Sequence, residues 1–182
     1  MVPPSVFLNL LKTSTAHRKS RDDMKNLVIV QPALITTIFN FGCELPDKDH
    51  HKAWWVMELI FEENILLLKP FLSQYADIFP LVKSDSALRS ITKIAWFIAQ
   101  SPDINLNDHQ KDGIYNGLFN CLLDSDRAAN AAYSMYALFD YGKADHWLHD
   151  ELKIILSRGF ENQTPAYRAA AKNTLLKLNK KC

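Results

Sequence analysis

Between Asp49 and Asn64 the chain reads Asp-His-His-Lys-Ala-Trp-Trp-Val-Met-Glu-Leu-Ile-Phe-Glu-Glu-Asn. Ala53, Trp54, Val56, Met57, Leu59, Ile60 and Phe61 recur at helical spacing but cover far more than the single stripe a surface helix needs, so a helix here must be packed on more than one side. Looser versions of the pattern return three times downstream, which points to helices stacked on helices. Only five glycines occur in 182 residues, too few for the tight turns of a many-stranded sheet, and no segment sustains apolar/polar alternation. The expected class is all-α.

A chain of this length buries most of its apolar surface in one unit, and its 48% hydrophobic and 23% charged residues are those of a globular protein with a real core. One all-α domain over 1–182 is expected, with N-terminal helices over 1–46 and helix pairs over 47–178. The net charge of +1, from 21 basic and 20 acidic residues, removes the simplest electrostatic argument for nucleic acid and for an anionic membrane. Cys43, Cys121 and Cys182 are widely spaced, odd in number and lack a Cys-x-x-Cys pair, so they are expected as reduced thiols of a cytoplasmic protein. The opening Met-Val-Pro-Pro-Ser has no basic region ahead of a long apolar one, so no signal peptide is expected. Nor does any apolar run approach the ~18 residues of a membrane span.

The first helix is expected from Pro4 to Lys12, with proline in the opening turn. The second begins near Ser20 with Asp22 and Asp23 in its first turn; Leu-Val-Ile-Val could be a strand by periodicity alone, but the acidic start favours helix. A third runs from Pro32 to Gly42, which closes it in the left-handed conformation, and Asp47 or Asp49 caps the 49–64 helix, with Asn64 as its left-handed end. Residues 65–79 continue as helix with a break at Pro70, stopped by Pro80. Ser84-Asp85 opens a sixth helix through Gln100, before Pro102. Asn107 with Gln110 forms a capping box for a seventh, through Leu123. Asp126 caps the eighth, which Gly142 ends. The ninth runs from Ala144 to Arg158, with Leu148, Leu152 and Ile155 inward, and Gly159 stops it. Thr164-Pro165 is the sharpest start signal, and the helix it opens ends in Lys177, Lys180 and Lys181.

With Lys52, Arg89, Asn130 and Arg168 in register, the intervals are 37, 41 and 38 residues, close to the ~40–47 of HEAT and armadillo units. Each unit has a cap or acid upstream (Asp49, Asp85, Asp126, Thr164) and a second helix before the next. Over Asp47 to Leu178 the pattern resembles the HEAT-like repeat family. That resemblance implies a short right-handed α-solenoid of about ten helices. More closely, His50-His51-Lys52-Ala53 with Glu62-Glu63-Asn64, then Asp85-Ser86-Ala87 and Arg89, is similar to short bacterial HEAT-like chains, some labelled adenylosuccinate lyase. Enzymes of that lyase superfamily share a mobile loop of the form Gly-Ser-Ser-x-Met-Pro-x-Lys-x-Asn, and this sequence has no Ser-Ser, Gly-Ser or Met-Pro dipeptide. The lyase chemistry therefore transfers to no residue here.

On the 49–64 helix, His51, Trp55, Glu58 and Glu62 share one stripe; Arg89, Lys93, Trp96 and Gln100 share another on the sixth helix. If these helices are neighbours, an acidic stripe lies beside a basic one, each bearing a tryptophan. Such stripes either set the stacking register through ion pairs or, with the tryptophans exposed, form a partner-binding surface of His51, Trp55, Glu58, Glu62, Arg89, Lys93 and Trp96. His146, His149 and Asp150 fall at i, i+3 and i+4, too few ligands for structural zinc, and adjacent His50 and His51 point apart, so no metal is expected. No Gly-rich phosphate loop, Gly-x-Ser-x-Gly elbow or His-Glu-x-x-His pair occurs. Cys121 sits on an apolar face and is expected as a buried thiol.

The leading expectation is a non-enzymatic interaction module without cofactor, holding a protein or peptide on the second helix of each pair. The alternative comes from resemblance: one class of HEAT-like bacterial proteins are DNA glycosylases acting on alkylated bases, with aromatic, basic and acidic residues against the duplex. Trp54, Trp55, Trp96, Trp147, Glu58 and Arg89 supply those residue types.

Overall fold

The computed structural model describes residues 1–124, 128–158, 160 and 163–180, and all regular structure among them is helical. Ten α-helices follow in order: α1 (Pro4–Thr13), α2 (Arg18–Val30), α3 (Leu34–Cys43), α4 (His50–Glu63), α5 (Leu72–Ile78), α6 (Asp85–Gln100), α7 (Asp108–Asp124), α8 (Ala128–Tyr141), α9 (Trp147–Ser157) and α10 (Pro165–Asn179). Two 3₁₀ segments, Ile65–Phe71 and Phe79–Leu81, flank α5. Among the described residues no helix is long and apolar enough to cross a membrane.

The even-numbered helices pack in sequence: α2 on α4, α4 on α6, α6 on α8 and α8 on α10. Behind them α3 lies against α4, α5 against α7, α7 and α9 against α8. Lys52, Arg89, Asn130 and Arg168 all fall near the beginnings of successive even helices. Buried side chains from α1 to α10 form one continuous apolar core.

The saturated apolar circumference of α4 is explained by this placement, because α4 is covered by α2, α3, α6 and the first 3₁₀ segment. Trp54 is wholly buried, donates Nε1–H to the Gly42 carbonyl at 2.8 Å and meets the Phe39 and Tyr75 rings edge-on. A buried indole N–H needs such an acceptor. Tyr75 and Tyr141 likewise donate to the Ile91 and Ala95 carbonyls of α6, at 2.7 and 3.1 Å. On α7, Gly113 and Gly117 sit one turn apart, and a Cβ on them would lie 2.4 Å from the Ala76 carbonyl oxygen and 2.5 Å from the Phe79 ring. Glycine there lets α7 approach α5 at Ala76 and the second 3₁₀ segment at Phe79.

Several helix ends follow the sequence. Asn107 and Gln110 exchange hydrogen bonds at 2.9 and 3.1 Å, a complete capping box, and Thr164 accepts from the Tyr167 N–H ahead of Pro165. Others differ. Gly42 does not close α3; it lies inside the helix against Met57 and Trp54, where a Cβ would come within 2.8 Å of Met57. α3 starts at Leu34, not Pro32. Asn64 has φ −149°, extended rather than left-handed, and its side chain caps the following 3₁₀ segment through the Leu66 N–H. Neither Asp47 nor Asp49 caps α4. Asp47 instead accepts from the Asp49 N–H and pairs with Lys12 at 2.7 Å. Asp22 and Asp23 lie one turn into α2, which begins at Arg18, and they pair with Arg18 and Lys19 at i−4. Pro70 lies inside a 3₁₀ segment, not at a kink in an α-helix, and Pro80 opens a second one. On α9 it is Leu156, with Leu148 and Leu152, that is fully buried, while Ile155 is half-buried. Expectations for Asp126, Gly159, Lys181 and Cys182 lie outside the described residues.

Candidate functional site

The two stripes read on α4 and α6 do meet. Glu58, 5% exposed, accepts from the Ser90 hydroxyl at 2.6 Å and from the Lys93 ammonium at 3.1 Å, one bond on each carboxylate oxygen. Lys93 also reaches Glu62 at 3.2 Å. Burial pulls the Lys93 ammonium toward neutrality, but the Glu58 charge and the hydrogen bonds that Lys93 donates to Glu58 and Glu62 outweigh it and hold its pKa above the ordinary lysine value. Glu58 and Lys93 therefore lock α4 to α6 with a largely buried charge pair rather than the exposed pairing such stripes usually make.

Around this lock the side chains are open to solvent to different degrees. Trp55 is half-buried, donates Nε1–H to the Ser86 carbonyl at 3.1 Å and stands edge-on to the His51 ring. Burial holds the His51 imidazole below its ordinary pKa, although its Nδ1 lies 2.9 Å from the Lys48 carbonyl. Arg89 is exposed. Trp96 is half-buried among Tyr133 and Tyr136 of α8 and donates to Asp140 at 2.8 Å. Gln100 donates to the same carboxylate at 3.3 Å.

Spacing shows that these groups share one face. On α6 the run Ser86, Arg89, Lys93, Trp96 and Gln100 steps by three and four, and on α8 Ala129, Tyr133, Tyr136 and Asp140 do the same. Two open clefts lie on this face. At one end Arg21 of α2, Trp55 and Glu58 of α4, Asp85, Ser86, Arg89 and Ser90 of α6 and Asn130 of α8 line a space of about 460 Å³. At the other, Trp96, Tyr136, Phe139, Lys143, Leu176 and Lys177 border one of about 610 Å³ between α6, α8 and α10.

The structure thus brings Trp55, Glu58 and Arg89 together and puts Trp96 at the second cleft. It does not bring Trp54 or Trp147 to either. Trp54 belongs to the core, and Trp147, 55% exposed, packs on Tyr115 and Phe119 of α7. The clefts are walled by the first helices of the sequence pairs, α4, α6, α8 and α10, not by the second helices on which a binding surface was expected.

Sequence reasoning passed over Arg21, Ser86, Ser90, Tyr133 and Tyr136 as site residues. For Asn130 a signal existed: an amide among alanines in Ala-Ala-Asn-Ala-Ala, inside a helix and in register with Arg89. Arg21 had none, since only packing carries α2 to the edge of α4.

Among the described residues no three His, Cys, Asp or Glu side chains gather as a metal-holding group. His149 approaches the Phe139 carbonyl at 2.8 Å, and its ring lies where a Cβ on Gly142 would be, 2.1 Å away. His50 is buried beside the Gly42 carbonyl. Cys121 is buried, and burial pushes the Cys43 thiol up to about 11, so Cys43 carries little thiolate at neutral pH.

Compared with known proteins, the chain matches no family model, and no curated protein or solved structure shows significant similarity to it.

Proposed function

We propose that this chain is a non-enzymatic interaction module of the cytoplasm, a short HEAT-like α-solenoid that holds a segment of a partner protein on the face formed by its even-numbered helices. The observation that carries the reading is the run of three neighbouring polar-aromatic stripes on α4, α6 and α8, with an open cleft at each end. Half-exposed tryptophan and tyrosine beside an exposed arginine are residue types enriched at protein interfaces. The serial packing of α4, α6, α8 and α10 at near-equal sequence intervals supports the repeat architecture, since stacked repeats touch mainly their neighbours. The engagement of both Glu58 oxygens by Ser90 and Lys93, with the side chain buried, supports a scaffold over a reaction centre, because a general acid or base needs an oxygen within reach of substrate.

The test is photo-cross-linking in cells that make the protein naturally. A photoreactive residue at Arg89 or at Gln100 is expected to give the same discrete protein adduct, and one at Asn116, exposed on α7, is expected to give none. Equal labelling from all three positions, or none from any, refutes the binding face.

A second reading rests on one observation, the convergence of Trp55, Glu58 and Arg89 in a single cleft. These are residue types that HEAT-like DNA glycosylases present to alkylated duplex. Absence of any gel retardation of alkylated duplex by micromolar protein at low salt rejects it.

A further inference from the structure

The smaller cleft holds more hydrogen-bond donors than its own residues satisfy. Asn130 lines it at 1% exposure, and its Nδ2 is buried with no acceptor. Arg21 lines it too, and its Nε is equally without a partner. Leaving a buried donor unpaired is unfavourable, so two in one cleft favour an acceptor that reaches them from it. Arg89 enters from α6, and no described residue accepts from its guanidinium.

The first turn of α6 adds to this. The Ser84 hydroxyl does not cap it, and the first backbone N–H with an intrahelical acceptor is that of Leu88, bonded to the Ser84 carbonyl at 2.8 Å. The N–H groups at the start of this 16-residue helix, including that of the cleft residue Ser86, therefore stand at the positive end of its dipole.

Two carboxylates also border the space. Glu58 has both oxygens held by Ser90 and Lys93, and Asp85 is engaged in an interaction of its own. Among the residues lining the cleft the buried unmatched atoms are donors; the unmatched Asp22 Oδ1 belongs to a residue that does not line it.

We propose that this cleft binds a phosphate group borne on a segment of the partner protein, a proposal that rests on the interaction-face reading above. Two guanidinium groups, an amide and a helix start offer more donors than the two oxygens of a carboxylate can accept, whereas the three terminal oxygens of a phosphate monoester can take them. A nucleic-acid strand fits less well. Laid along the α6 stripe, it would carry further phosphates past Glu62 and Asp140, while a single phosphate at the Arg89 end meets neither.

The experiment titrates the full chain with phenyl phosphate, then with an array of singly phosphorylated peptides beside their unphosphorylated counterparts. Phosphorylated members are expected to bind at least tenfold more tightly, and Arg89→Gln, at an exposed position, is expected to erase that advantage without lowering the melting temperature. Arg21→Gln is expected to weaken phenyl phosphate binding severalfold. Equal binding of both peptide forms overturns the phosphate site while leaving the interaction face in place. So does phenyl phosphate binding that Arg89→Gln leaves unchanged. An array with no binder of either form, beside a discrete cross-linked adduct, likewise removes only the phosphate. Tighter binding of an oligonucleotide than of any phosphopeptide overturns the proposal in favour of nucleic acid.

Discussion

Replacing Lys93 by methionine keeps most of the side-chain volume and removes the cation paired with Glu58. Its ammonium is 3.1 Å from a carboxylate whose side chain is 6% exposed, and Lys93 itself is 16% exposed. Breaking a fully buried pair by deleting one partner costs about 3–5 kcal/mol, and an exposed pair about 0–1 kcal/mol. Here the Ser90 hydroxyl still holds one Glu58 oxygen, and Lys93 retains a path to solvent, so the expected loss is about 2–3 kcal/mol. For a chain of this size that lowers the melting temperature by about 4–12 °C. Urea unfolding followed by far-ultraviolet circular dichroism measures the loss directly. Adding Glu58→Gln removes the stranded charge and is expected to return about 1 kcal/mol or more, and the Glu58→Gln single variant completes the double-mutant cycle that reports the coupling. Lys19→Ala, which breaks an i,i+4 pair with side chains 87% and 60% exposed, serves as the control and is expected to leave the midpoint unchanged. A Lys93→Met loss below about 0.5 kcal/mol would mean that the α4–α6 lock behaves as a surface pair, and the reasoning fails. Set beside Arg89→Gln, the variant also separates two positions on one stripe: Lys93 ties α4 to α6, whereas Arg89 is exposed and is the residue proposed to meet a partner.

Gly113→Ala would drive a Cβ to 2.4 Å from a backbone oxygen that cannot swing aside; a destabilisation of about 1–3 kcal/mol is expected in urea melts. Asn107→Ala removes one half of the capping box and is expected to cost about 1 kcal/mol, with Gln110→Ala adding less than its own single effect. Asp145 accepts from the Tyr115 hydroxyl at 2.6 Å and from Lys111, which together hold its carboxyl below the ordinary value of 3.8. A depressed pKa means that its stabilisation is complete above the unfolded value and is lost as pH falls through the folded one. The difference in urea midpoint between the parent and Asp145→Asn should therefore be full near pH ~6 and shrink below pH ~4. A difference that grows on acidification contradicts the assignment.

The sequence by itself determined what depends on neighbours along the chain. Helical spacing, the Asn107–Gln110 box and the Thr164-Pro165 start are local physics, and the all-helical class and these ends are as the residues dictate. The over-covered apolar circumference of Ala53 to Phe61 also announced that its helix would be surrounded. What chain order could not supply was the set of contacts between helices. Gly42, Gly113 and Gly142 look alike as letters, yet each is set by the side chain or carbonyl that crosses it. Asn64 turned its side chain to the next segment instead of bending left-handed. Glu58 and Arg89 belong to neighbouring stripes of similar composition, but one is buried under Lys93 and Ser90 and the other stands in solvent. Arg21 and Asn130, more than a hundred residues apart, share a cleft only because α2, α4, α6 and α8 lie side by side. Burial and unsatisfied hydrogen bonds are properties of packing across the chain, so tertiary structure alone decides which of many similar polar residues is locked between helices and which is left open in a cleft.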